Sequence, residues 1–261
     1  ASIGWRDTWF LMGLGLLVIG IPASLLIVRQ PEDIGLHPDG DKPSEGPADS
    51  KADIGTRYAS LEASITRRQA VRTKQFWLVV FGVSIALMAI RGLIPNFVPF
   101  FVDRGIDPAI AAGTVSAYSI GAMVAAFGWG RIVDRKGARK PYIAACLLVA
   151  TATTLMLAPT TALVAYMLMV YFGVVLAGFW VIQTLIVANT FGREHIGAIR
   201  GIMQPFNNAA MFGGPVLFGA IYDLSGNYAW LFLLTSAMFL ISAGSAGLLK
   251  PLNARTMSRS E

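Results

Sequence analysis

The sequence predicts an all-α membrane protein, a polytopic helical bundle of seven transmembrane helices. Three observations predict it. Of the 261 residues, 55% are hydrophobic and only 14% are charged, where a soluble domain carries about 25% charged residues. Seven stretches reach the length of about 20 mostly apolar residues that a bilayer requires. Lys and Arg crowd into the connections on one side of those stretches, as membrane topology demands. The same composition, with a mean hydropathy of +0.60, excludes a cytosolic enzyme, a disordered chain and a nucleic-acid binder. The net charge of +6 and the pI near 9.7 therefore read as topology and not as a DNA partner.

The apolar stretches are, in order, residues 8–28, 76–102, 109–133, 141–158, 163–191, 201–222 and 229–249. In hydrocarbon each must satisfy its backbone polar groups within its own helix. Five connections are short: 103–108, 134–140, 159–162, 192–200 and 223–228. Short turns send each helix straight back across the bilayer, so the helices form an antiparallel bundle. The long connection is 29–75. Residues 29–54 are rich in Pro, Gly, Asp and Ser and read as a flexible linker. Residues 57–74 are basic, and Thr66-Arg67-Arg68-Gln69 fits a capping box. Two readings of that box stay open: an amphipathic turn on the membrane surface, or an early start of the second span.

Of the 21 Lys and Arg residues, 18 fall in 29–75, 131–140, 192–200 and the tail after Leu249. Arg6 and Arg104 lie on the other side, and Arg91 alone lies inside a span. This imbalance places the long loop and the C-terminus in the cytoplasm, as in an integral plasma (inner) membrane protein. Seven spans then put Ala1 outside, with neither an initiator Met nor a signal peptide. The expectation is the C-terminal portion of a longer chain. Cys146 stands alone in an apolar run, which excludes a disulfide framework. His37 and His195 lie in polar segments, and no cluster has metal-ligand spacing, so no metal or cofactor is expected.

The strongest motif runs from Gly130 through Arg131, Asp134, Arg135, Gly137 and Arg139 to Lys140. Gly130 lets two helices approach closely. Asp134 ends one helix and can accept hydrogen bonds from the N-terminus of a neighbour. Arg135 and Arg139 offer charge-assisted partners across the cytoplasmic face. Such a turn can latch one state of a rocking transporter; the plain alternative is a basic turn that only sets topology. The block resembles the G-x-x-x-D-R-x-G-x-R-K signature of the major facilitator superfamily of secondary transporters.

Two further stretches carry the resemblance. Gly219–Tyr228 is similar to the family's turn between its last two helices, with Asp223 and Gly226 closing it. Gly4-Trp5-Arg6, an apolar helix and then Pro31–Leu36 resemble the family's sixth helix and its exit. The resemblance implies helices 6–12 of a twelve-helix transporter. Residues 1–28 then hold the last helix of the N-terminal half and 29–75 the central loop. Residues 76–249 hold the C-terminal six-helix half and 250–261 a cytoplasmic tail. Pro31–Leu36, Phe76-Trp77 and the Asn207-Asn208 helix look similar to the oxalate–formate antiporter and monocarboxylate porter branch.

Arg91 lies about 22 Å along the span that opens at Phe76, and a charge there costs roughly 2.5–3.5 kcal/mol. No Asp or Glu lies deep in any span. One reading points Arg91 into a central cavity, where it binds a carboxylate by a two-pronged hydrogen bond. The other has it snorkel to the outer interface, or pair with an acidic residue of the missing half. Pro95 and Pro99 follow and should bend the helix. Asn96, Ser116, Tyr118, Ser119, Gln183, Gln204, Asn207 and Asn208 sit at span depth. Each is either a cavity residue or interhelical glue. Asn96, Tyr118, Gln183 and Asn207 join Arg91 as candidate substrate-binding residues. Gly213-Gly214, Gly173, Ala177 and Gly178 fit close helix packing.

The expected function is transmembrane transport of a small solute by alternating access, an organic anion such as a monocarboxylate or dicarboxylate. The expected partners are that anion, the lipid bilayer and the missing N-terminal helices. Proton coupling usually needs Asp, Glu or His inside spans. Here it would rest in the missing helices, or the protein exchanges anions or runs downhill. A seven-span receptor or retinal protein is the alternative by span count, but the only lysine near the last span is Lys250, at its end. A half-size partner subunit without transport activity would leave residues 11–28 without a place. A membrane enzyme would need clustered His or acidic residues at one face, and the sequence has none.

Overall fold

The computed structural model describes residues 4–25, 67–158, 161–191 and 196–249. Most of the 29–75 linker, the Thr66 side of the capping box, Arg193, His195 and the tail from Lys250 lie outside the described residues. The described residues are helical with short turns and carry no strand. The chain divides into two units, Ala1–Tyr58 and Ala59–Glu261.

The first unit holds α1 (Trp5–Leu25), a 21-residue helix that is apolar all round, with Trp9, Phe10, Leu16 and Ile19 exposed. A helix without a polar face suits hydrocarbon and not a water interface. The second unit holds α2 (Arg67–Val71), α3 (Lys74–Leu93), a 3₁₀ turn at Ile94–Asn96, α4 (Phe97–Asp103) and α5 (Pro108–Lys136). It continues with α6 (Arg139–Leu155), α7 (Ala162–Phe191), α8 (Ile196–Ser225) and α9 (Ala229–Gly247).

Among the described residues, five segments are long and apolar enough to cross a membrane: Arg6–Ser24, Lys74–Asp103, Pro108–Lys136, Ala162–Phe191 and Ala229–Gly247. The other two expected spans are helical too, and differ for physical reasons. The 17 residues of α6 reach about 26 Å, just short of the hydrocarbon core. The hydropathy of α8 is diluted by Arg200, Gln204, Asn207 and Asn208.

The junction before α3 shows how local chemistry sets a boundary. α2 stops at Val71, and the Thr73 side chain accepts from the Phe76 amide at 3.2 Å as the N-cap of α3. Trp77 Nε1 donates to the Val71 carbonyl at 3.0 Å and holds the turn. The second span thus opens on its own cap at Thr73, and Arg67–Val71 is a separate short helix. Asp107 caps α5 in the same way through the Ala109 and Ile110 amides, with Pro108 at the first helical position. Gly137 (φ 71°) and Gly226 (φ 61°) take the left-handed conformations that end α5 and α8.

The second unit is built in three tiers. α6 and α9 pack on each other at the back; α9 packs on α3, and α6 on α7. In front, α5 packs on α7 and α8 packs on α3. Burial follows the tiers. α5 buries only Ala111, Thr114, Gly121, Trp129 and Val133, and α8 only Ile199, Met203, Gly214 and Phe218. The back tier is stapled by hydroxyls: buried Tyr142 to Ser242 at 2.9 Å, and buried Thr153 and the more exposed Thr154 to Ser236 at 2.7 and 2.9 Å. Glycines bring the α5–α7 pair together. A Cβ at Gly173 would strike the Tyr118 carbonyl, and one at Gly178 the Trp129 ring. Gly214 sits in the same manner against the Met88 carbonyl of α3.

Candidate functional site

The front tier leaves a polar stripe on α3 and α8. Ser84 and Arg91 are seven residues apart, so they share one face of α3. Arg200 and Asn207 share one face of α8 by the same spacing. Ser84 Oγ donates to Asn207 Oδ1 at 2.9 Å and joins the two stripes at one level. Arg91 then lies about 10 Å beyond that level toward the 3₁₀ turn, and Arg200 about 10 Å toward the opposite, basic end.

Arg91 is exposed in the last turn of α3. Tyr118 of α5 is half-buried. Tyr118 is in turn backed by Phe172 of α7, ring centroids 5.8 Å apart. The exposed face around Arg91 is the first polar space of the unit.

Immediately after Arg91 the helix changes form. Pro95 has no N–H to offer, and the chain tightens to a 3₁₀ turn over Ile94–Asn96 before α4 begins. Asn96 Nδ2 donates to the Gly92 carbonyl at 2.7 Å. The Asn96 amide nitrogen is thus spent on its own helix, which is its placement among the described residues. Pro99 falls in the first turn of α4, where a missing N–H has no helical partner to lose. So Pro95 makes the break and Pro99 merely tolerates it. Phe97 and Phe100 anchor the bent segment against Phe172 and Phe232 at centroid distances of 5.0 and 4.4 Å.

Gln183 and Asn207 line a second space. This cleft of about 120 Å³ lies between α3, α7 and α8, bounded by Val83, Gln183, Thr184, Arg200, Gln204 and Asn207 among others. Of the predicted binding residues the structure thus brings Gln183 and Asn207 to one cleft, while Arg91, Asn96 and Tyr118 lie outside its lining. Arg200 ends the 192–200 connection in sequence, yet its guanidinium reaches into the cleft and donates to the Thr184 carbonyl at 2.5 Å. The signal for it was the seven-residue spacing to Asn207. Asn208 points elsewhere and accepts from Gln204 at 2.9 Å.

The basic turn at 130–140 is also resolved into parts. Gly137 donates its amide to the Val133 carbonyl at 2.8 Å and closes α5. Arg139 Nε donates to the Ala246 carbonyl at 3.1 Å, and its Nη2 to the Gly247 carbonyl. It therefore caps the C-terminus of α9, a charge-assisted use that also opposes the negative end of the helix dipole. Asp134 and Arg135 are exposed. The close helix approach expected at Gly130 is not made within this unit: a Cβ there would meet nothing within 4 Å. The glycines that do permit close approach lie farther up the α5–α7 contact.

At the opposite end a second arginine holds the turns. Arg104 donates to the Met156, Leu157 and Ala158 carbonyls at 3.0, 3.3 and 2.6 Å, with its guanidinium 4.3 Å over the Phe100 ring. Tyr222 and Tyr228 stack there at 4.3 Å. Burial, and the Tyr222 hydroxyl beside it, push the Tyr228 phenol up to about 12, so it stays neutral at physiological pH. No group of His, Cys, Asp and Glu able to hold a metal ion occurs among the described residues.

A family profile described as Major Facilitator Superfamily matches residues 79–261. That match takes in most of α3 and every helix after it, including the tiers, both polar spaces and the basic turn.

Proposed function

We propose a function on one premise: the chain belongs to the major facilitator superfamily. It is a helical membrane protein of a family that moves small solutes across membranes. We read its solute as a small organic anion, a monocarboxylate or dicarboxylate, carried by exchange or symport through alternating access. The observation that supports this is Arg91, an exposed guanidinium in the last turn of the α3 span. A lone charge at that depth costs roughly 2.5–3.5 kcal/mol. A carboxylate held by two parallel N–H···O bonds offsets that cost. The 3₁₀ break that starts three residues later gives the span a place to flex as the halves rock.

In the family's register α1 is the sixth helix, residues 29–75 the central loop, and 76–249 the second six-helix half. The first five helices would complete the site from the other side, and the basic turn at 130–140 would latch the cytoplasmic face of a plasma-membrane protein. The oxalate–formate and monocarboxylate branch is the finer placement within the family.

Counterflow by the reconstituted full-length transporter tests the substrate class. Proteoliposomes preloaded with formate, oxalate or lactate should accumulate the same labelled carboxylate, while glucose and choline should exchange at background rate. Faster exchange of glucose or choline than of every carboxylate would contradict the anion reading.

A further inference from the structure

We propose that the cleft between α3, α7 and α8 is a second carboxylate subsite, centred on Arg200, that holds the anion between Arg91 and the cytoplasm. The inference rests on the anion reading of the transport site and adds a separate place to it.

Three features of the cleft carry it. First, its donors suit an anion. Arg200 spends one donor on the Thr184 carbonyl, and an arginine has five in a planar fork. Ser84 turns the Asn207 oxygen toward α3, which leaves the Asn207 Nδ2 donor for the cleft. Gln183 adds a further amide from α7. Among the described residues that line the cleft there is no carboxylate, so the charge within it is positive. Second, its size fits. A space of about 120 Å³ equals about four waters at 30 Å³ each, which is room for a small carboxylate. Third, its place lies on the route. Arg91, Ser84, Asn207 and Arg200 form one stripe, with the two guanidinium-bearing positions about 20 Å apart along the helices. An anion released from Arg91 toward the basic end passes along that stripe to the next cation. Two moderate sites in series let an anion bind yet still leave, as multi-site conduction requires.

Thiol protection tests this in the full-length transporter in inside-out membrane vesicles. Gln204→Cys places a thiol on the cleft wall, while the native Cys146 is buried. The probe is its alkylation rate by a membrane-impermeant maleimide, with sodium formate, oxalate or lactate against sodium chloride at equal ionic strength. At least one carboxylate should slow labelling saturably. Adding Arg200→Gln should raise the half-protecting concentration at least about tenfold, the loss of one charge-assisted hydrogen bond. Arg200→Lys should retain part of the protection and so show that the helix still folds. Adding Arg91→Gln should leave protection within about threefold while uptake falls, since the sites are separate. Absence of protection by all three carboxylates would overturn the subsite, as would protection that survives Arg200→Gln or is lost equally with Arg91→Gln. If instead Arg91→Gln transports normally while Arg200→Gln removes protection, the Arg91 reading falls and the cleft stands.

Discussion

Gly173 has no room for a Cβ, which would run into the Tyr118 carbonyl across the α5–α7 contact. Gly173→Ala should therefore force the two helices apart, costing about 1–3 kcal/mol as overpacking does, and should lower the thermal midpoint of the detergent-purified protein. Gly130→Ala, whose Cβ would meet nothing within 4 Å, should leave that midpoint unchanged. A reversed order of the two variants would refute the packing account. The contrast also shows what residue types reveal by themselves. The small residues of α7 were legible because bilayer helices need small residues to approach. Gly130 carried the same signal without the contact. The Ser and Thr residues of α6 and α9 gave no signal, because such hydroxyls can satisfy themselves on their own helix, as Thr235 does on Leu231. Only the pairing of α6 with α9 turns Thr153, Thr154 and Ser236 into interhelical partners.

Elements bring those partners together, and their joints are where function is testable. Ser236→Ala removes the acceptor and donor shared by Thr153 and Thr154. With the Ser236 bond to the Ala150 carbonyl counted as well, and at roughly 0.6 kcal/mol for each interhelical bond, the loss should be about 2 kcal/mol and should shrink to about 0.6 kcal/mol when both threonines are already valine. A double-mutant cycle on unfolding free energies measures it. The α5–α6 turn is the other joint. Asp134→Asn should lower the maximal transport rate more than it raises KM, because the turn would act in the conformational change and not at the substrate. Equal effects on rate and KM would make it a topogenic turn only. Helix positions were readable from hydropathy, yet their ends were not. Thr73 decides where α3 begins through one hydrogen bond and Asp107 where α5 begins through two, and a cap competes with equally polar neighbours in each connection. Pro95 was visible as a break, but its outcome as a 3₁₀ turn depended on Asn96 reaching the Gly92 carbonyl.

Across the whole second unit, the tiers decide which polar residues can meet a solute. The back tier closes on itself through buried hydroxyls, and the middle tier is buried by both neighbours. Polar residues that stay reachable include Arg91 on α3, Asn207 and Arg200 on α8, Tyr118 on α5 and Gln183 on α7. Fold class and the candidate cation were legible because charge inside hydrocarbon is costly and stands out. The grouping of Gln183 with Asn207 and Arg200 was not, since it depends on which helices of the antiparallel bundle become neighbours. The register proposed above, helices 6–12 of the family, carries an expectation at this scale: about five further apolar spans with a basic turn of their own, which sequencing the locus decides.

The most direct test of the account is carboxylate uptake by the full-length transporter carrying Arg91→Ala or Arg91→Lys, at matched membrane insertion. The anion account predicts that Arg91→Ala lowers the ratio of maximal rate to KM about 100-fold or more, as two charge-assisted hydrogen bonds are lost, and that Arg91→Lys recovers part of it. Normal carboxylate uptake by Arg91→Ala would contradict the claim that this guanidinium binds the transported anion.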